Sequence, residues 1–261
     1  MSEQRFNKIS KALITATIVL TVACVVSLVT MLLKGISREA FAQAEQAPPP
    51  VTVKLAETTD YGQYYVNSMV FVGDSTILGL KDYSLLRDGT ETDHVWTGES
   101  GDLPLDYNVD TATVVCSKDG KLMTVSSAIK EKKPAYIVIT LGINNGVPYC
   151  TEENFKAYYQ KLITSIKNES PDAKIILQSI LPVSEKYAKS TSGITADKID
   201  TANEWIAELA QTNELRYLNT AEALKNTKGY LDAKYDSGNG LQLNLEGYNA
   251  MLTYIRTHGY K

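Results

Sequence analysis

The 261-residue chain predicts an α/β domain built on a parallel sheet with helices on both faces. Three observations carry that expectation. Short apolar runs of strand length, rich in Val, Ile and Tyr, recur at 69–73, 94–97, 135–141, 173–179 and 215–218. Amphipathic stretches of helical period lie between the later runs. The balance of 44% hydrophobic and 21% charged residues is that of a globular chain long enough to bury a core.

Residues 1–11 carry Arg5, Lys8 and Lys11 against the single acid Glu3. Residues 12–33 hold no charge, and as a helix they extend ~33 Å at ~1.5 Å per residue, enough for a hydrocarbon core of ~30 Å. The basic flank puts 1–11 in the cytoplasm, 12–33 across the membrane as a signal anchor, and everything after it outside. Ala40-Phe41-Ala42 resembles a signal-peptidase site. The apolar run is longer than the ~7–15 residues of a cleaved signal, however, and Lys34, Arg38 and Glu39 intervene, so the uncleaved anchor is preferred. Either way the domain is exported, and Cys24 is read as membrane packing. Residues 34–62, rich in Ala, Gln, Glu, Thr and Pro and stiffened by Pro48-Pro49-Pro50, read as an extracytoplasmic linker. Residues 63–261 form the domain.

A formal charge of −4 and a pI near 5.4, with no basic stripe interleaved with aromatics, exclude a nucleic-acid-binding surface. Cys24, Cys116 and Cys150 are odd in number and widely spaced. They indicate neither a disulfide framework nor a zinc site, and a Cys116–Cys150 bridge stays open. No metal or cofactor is expected, and no internal repeat is present.

The clearest helix starts at Thr151, an N-cap followed by Glu152 and Glu153, and sets Phe155, Tyr158, Tyr159, Leu162 and Ile166 on one face at i, i+3, i+4, i+7 and i+11. Such a stripe is core. A second helix over 195–212 turns Ile199, Ile206, Leu209 and Ala210 inward. A last one begins after Asn244 and carries Tyr248, Met251, Leu252 and Ile255.

In a parallel sheet the site lies outside the carboxyl ends of the strands, so the turns there bear the chemistry. The first run ends in Gly73-Asp74-Ser75 and enters a helical turn, which presents Ser75 near backbone N–H groups able to receive an oxyanion. Alone, a Gly-Asp-Ser is more often simple helix capping. The second run leads into Gly98-Glu99-Ser100-Gly101-Asp102, and the third into Gly142-Ile143-Asn144-Asn145. Each offers a glycine able to approach a substrate closely or an asparagine N–H, and each alone is ordinary loop chemistry.

Together and in this order these turns resemble the SGNH, or GDSL-type, hydrolase family. The resemblance runs from about residue 69 to 254 and takes in Leu181-Pro182-Val183 and Asn244-Leu245-Glu246-Gly247-Tyr248. It implies a three-layer α/β/α, flavodoxin-like domain, with Ser75 as nucleophile and the N–H groups of Ser75 and Gly101 and the side chain of Asn144 as oxyanion donors. Asp74 and Asn145 are then substrate contacts. The implied chemistry is ester hydrolysis or acyl transfer on small acyl groups, with an acyl ester or acylated carbohydrate as ligand and a bacterial cell surface as setting.

The chain departs from the family in two ways. The third block ends in Asn145 where Asp is usual. The final Asp-x-x-His block reads Asn239-Gly240-Leu241-Gln242, an amide at each position, and a glutamine cannot accept the serine proton. Of the two histidines, His94 precedes its strand at the far end of the sheet and His258 lies about four helical turns, ~24 Å, from Gln242. Asp232 and Asp236 read as loop residues that reach Ser75 only if the loop folds inward, and Glu99 and Asp102 as a solvated turn or substrate-orienting groups. Two functions therefore remain: a slow, membrane-anchored acyl-ester hydrolase or acyltransferase, or an inactive relative that binds an acylated or glycan ligand or a protein partner. Oligomeric state stays open.

Overall fold

The computed structural model describes residues 21, 25–26, 29–31, 53–191 and 193–260. Within the expected anchor at 12–33, the described residues are helical and exposed; the rest of that expectation, with the linker over 34–52, lies outside the described residues. Among the described residues no helix is long and apolar enough to cross a membrane.

The domain forms its own compact unit from Thr52 onward. Its frame is a five-stranded parallel sheet of β1 (Met69–Gly73), β2 (Val95–Trp96), β5 (Tyr136–Thr140), β6 (Lys174–Gln178) and β7 (Arg216–Leu218), in the spatial order β2-β1-β5-β6-β7. Each strand lies within one of the five predicted runs. Counted along the chain, the parallel strands stand 2-1-3-4-5, so the winding reverses between β1 and β5, where ligands enter such sheets. The register pairs Gly73 with Thr140 and brings the two strand ends level.

The strands read as continuous apolar runs because both faces are covered. Val70, Val72, Ile137, Ile139, Ile175 and Leu177 face α3 (Val125–Lys132), α5 (Glu152–Glu169) and α7 (Ala196–Thr212). Met69, Phe71, Val138, Ile176 and Leu218 face α1 (Gly62–Asn67), α2 (Gly79–Asp82), α8 (Ala221–Leu224) and α9 (Leu245–Thr257). The expected three-layer α/β/α arrangement is thus present. Thr151 caps α5 through the Asn154 N–H at 3.3 Å, and Thr195 and Asn244 cap α7 and α9 through the N–H groups of Lys198 and Gly247.

Two features depart from the sequence expectation. Residues 53–55, assigned to the linker, run beside β7: the Leu55 N–H donates to the Tyr217 carbonyl at 2.8 Å and the Tyr217 N–H to the Val53 carbonyl at 2.9 Å, with Leu55 buried. The edge of β7 offers unpaired backbone groups, and this short segment covers them. The stretch 98–134, for which no element was expected, holds an antiparallel hairpin, β3 (Thr113–Val115) and β4 (Leu122–Thr124), followed directly by α3. Strands of three residues, one of them exposed in each, are too short to show a period. Cys116 and Cys150 are both free thiols, so no bridge joins them.

Candidate active site

β1 ends against β5, with the Asp74 N–H donating to the Thr140 carbonyl at 3.2 Å. Asp74 then takes extended backbone angles and caps a 3₁₀ turn, Ser75–Ile77, accepting from the Thr76 N–H at 3.1 Å and the Thr76 hydroxyl at 2.6 Å. Its other oxygen accepts from the Ile143 N–H at 3.4 Å. Asp74 is only 2% exposed, and burial pushes its carboxyl up to about 6 against the pull of these hydrogen bonds, with the Asp102 charge adding to the rise. Asp74, expected as a substrate contact, ties the turn after β1 to the turn after β5 through these hydrogen bonds.

The turn carrying Ser75 is also held by a residue that the sequence placed on the last helix, within the family-like stretch that opens it. Tyr248 of α9 donates its hydroxyl proton to the Thr76 carbonyl at 2.7 Å and accepts from the Gly79 N–H at 3.2 Å. Burial raises this phenol well above its ordinary range. Gly79 permits the approach, since a Cβ there would lie 2.0 Å from Tyr248 Cε2. Tyr159 does the same for the third block, its hydroxyl donating to the Leu141 carbonyl and accepting from the Leu141 N–H. Nothing in the sequence marks either hold, since the partners lie 172 and 18 positions apart.

At Ser75 itself three blocks meet. The Ser75 N–H donates to Asp102 Oδ1 at 3.3 Å, and the Asn144 side-chain amide donates to the same oxygen at 2.8 Å. Two of the three expected oxyanion donors therefore converge on a single point beside the serine. The third does not join them: the Gly101 N–H closes its own turn on the Gly98 carbonyl at 2.8 Å. Gly101 sits at φ +83°, a left-handed conformation that glycine adopts without strain, and this carries the chain into Asp102. Asn145 begins α4 (Gly146–Tyr149) half-buried, making no side-chain cap there, and Glu99 is exposed to solvent.

The last block reaches Ser75 as well. Asn239 accepts from the N–H groups of Leu241 and Gln242, each at 2.9 Å, and donates to Gln242 Oε1 at 2.9 Å. Gln242 Nε2 in turn donates to the Ser75 carbonyl at 3.5 Å. The acidic and basic candidates elsewhere are engaged away from the serine. Asp236 accepts from the N–H groups of Gly238 and Gly240, and Asp232 from that of Lys234. His94 bonds the Met69 carbonyl at the opposite end of β1, and His258 stacks on Tyr254 with centroids 3.7 Å apart. Among the described residues no His, Asp, Glu or Lys hydrogen-bonds the Ser75 hydroxyl, and no three His, Cys, Asp or Glu side chains gather where they could hold a metal ion.

The arrangement presents a half-buried hydroxyl beside two convergent N–H donors, with an amide side chain at its flank. Among solved structures the chain is similar to a Bacteroides thetaiotaomicron GDSL-like lipase, at 18% identity over 82% of this chain and 92% of that one, with a TM-score of 0.47. It is similar to a protein of Streptococcus pneumonia assigned as a platelet activating factor, at 19% identity over 72% and 81% and a TM-score of 0.49. It is also similar to a Bacteroides fragilis protein assigned as an acylhydrolase, at 16% identity over 77% and 88% and a TM-score of 0.47. No curated protein matches the chain. The sequence pattern of the GDSL-like Lipase/Acylhydrolase family matches residues 71–250, well over half the length and all the blocks gathered at Ser75, and the chain therefore belongs to that family.

Proposed function

We propose that this protein is an acyl-ester hydrolase or O-acyltransferase of small acyl groups, anchored by residues 12–33 with its domain outside the cell, in which Ser75 is the nucleophile and turnover is slow. The observation that carries this reading is the convergence of the Ser75 N–H and the Asn144 amide on one oxygen, 3.3 and 2.8 Å away. An oxygen at that point has the surroundings that a tetrahedral intermediate requires. In the forward step the Ser75 hydroxyl oxygen bonds to the acyl carbon and gives up its proton to solvent water, and the carbonyl pair moves onto the oxyanion between these donors. As the carbonyl re-forms the bond to the leaving oxygen breaks, that oxygen taking a proton from water to depart as the alcohol. Water, or an acceptor hydroxyl on a carbohydrate, then takes the acyl group.

The reading also accounts for slowness. Gln242 stands at the position where the resemblance expects a histidine, and its amide has no lone pair basic enough to take the Ser75 proton. In triad hydrolases losing the base costs about 10⁶ in kcat, leaving ~10³–10⁴ over water from the oxyanion site and binding. The full-length chain in detergent is incubated with a small activated acetyl ester and with a fluorophosphonate that labels reactive serines. Slow turnover and labelling, both lost in Ser75→Ala, are expected. Absence of both from the parent chain sinks the enzymatic reading and leaves a ligand-binding relative.

A further inference from the structure

We infer that Asp102 determines which ligands the acyl site accepts: its carboxylate is the resting occupant of the point where Ser75 and Asn144 would hold an oxyanion, so a neutral acyl ester must displace it and a carboxylate anion is kept out. The inference rests on the reading of Ser75 and Asn144 as the acyl site and specifies what enters it.

The geometry is specific. One oxygen of Asp102 takes both N–H donors, which makes it a built-in mimic of the charged oxygen they are suited to hold. The carboxylate arrives there because Gly101, at φ +83°, turns the chain and commits its own N–H to Gly98. Asp102 is half-buried, on a loop rather than in the sheet, so swinging aside disturbs no strand pairing. When it does, the position it vacates is the one an ester carbonyl needs. The local charge works against anions. Asp74 joins the turns on which Ser75 and Asn144 stand, and Asp102 is among the groups that disfavour its ionised form. An acyl ester brings a neutral carbonyl into this field. An acylate, including the product of hydrolysis, brings a charge that must coexist with Asp102 and compete for the same two donors.

Two variants separate this from a purely structural tie between the blocks. Asp102→Asn keeps an oxygen able to accept from Ser75 and Asn144 but removes the charge; Asp102→Ala opens the position. Both are made in the full-length chain in detergent. The first measurement is the melting temperature in sodium acetate against sodium chloride at equal ionic strength, since a ligand that binds the folded state raises it. The second is the rate of fluorophosphonate labelling at Ser75. Expected are a concentration-dependent stabilisation by acetate in Asp102→Ala that the parent lacks, and labelling at least about tenfold faster in both variants. Equal acetate response in parent and Asp102→Ala, or labelling of the parent that neither variant accelerates, overturns the inference. If Asp102→Ala does not fold, the labelling rate of Asp102→Asn decides alone: at least about tenfold faster than the parent supports the inference, and no acceleration overturns it. Acetate stabilisation in a variant that the phosphonate never labels upholds the role of Asp102 while removing Ser75 as a nucleophile, so the two readings fail separately.

Discussion

The Tyr248 hydroxyl reaches from the last helix to the Thr76 carbonyl at 2.7 Å, so the turn that carries Ser75 is held by a side chain 172 positions away in the chain. Without that hold the turn keeps its cap at Asp74 and the hydrogen bonds of Ser75 to Asp102 and Gln242. Tyr248→Phe leaves a buried carbonyl and the Gly79 N–H without their partner, and is expected to cost about 1–3 kcal/mol. Chemical denaturation of the two proteins measures the loss directly. An unchanged midpoint would mean that the hydroxyl contributes nothing to the turn.

Asp74 sets a pH dependence. Its carboxyl is raised from its ordinary 3.8 to about 6 in the fold, chiefly by burial, so between those values the native state holds more protons than the unfolded chain. Stability contributed by this group is therefore fully present below about 3.8 and lost as pH rises through about 6. Melting temperatures across this window should show the slope in the parent and a flatter one in Asp74→Asn, once the contributions common to both proteins are subtracted. Identical slopes would mean that Asp74 titrates as an exposed carboxylate.

Restoring a base tests the last block. The contact of Asn239 with Gln242, at 2.9 Å, and of Gln242 with the Ser75 carbonyl already aligns these three residues. Asn239→Asp with Gln242→His is expected to raise kcat on an activated acetyl ester by ~10²–10⁴, the usual contribution of general base catalysis, and to create an activity that falls as the new imidazole is protonated. Either single substitution should do less, because an unoriented imidazole or an isolated carboxylate supplies half of the pair. No gain in the double variant would argue that the missing base is not what limits the site.

The anchor is tested by fractionation. Full-length protein is expected in the membrane pellet and resistant to alkaline carbonate, with the domain open to added protease in intact cells. Deleting residues 1–33 should release the domain into the soluble fraction. Soluble full-length protein would remove the membrane from the functional picture.

Much of the frame was legible because both sheet faces are buried. Phe71, Val138, Ile176 and their neighbours pack on one side and Val72, Ile139 and Leu177 on the other, so each central strand is a short unbroken apolar word. The helix starts at Thr151, Thr195 and Asn244 were legible, Thr151 already as a cap, and the structure shows each side chain bonding a backbone N–H three residues ahead. The β3–β4 hairpin was not, since its strands are too short to carry a period. Nor was the pairing of residues 53–55 with β7, because an edge accepts a strand through backbone groups that no side chain advertises.

By itself the sequence determined that Ser75, Asn144 and Gln242 would follow strand ends or precede the last helix, because strand periodicity, turns and caps are written within a few residues. It also determined the amide at 242, and with it the lack of a titrating nitrogen there. Only the tertiary structure decided that Asp102 rather than Gly101 meets the N–H groups of Ser75 and Asn144, that Asp74 joins the turn after β1 to the turn after β5, and that Tyr248 holds the turn. Those outcomes depend on side-chain direction and on contacts between residues 27 to 172 positions apart. Hydrogen-bond partners at such separations are chosen by the packing of whole layers, and no local pattern records the choice.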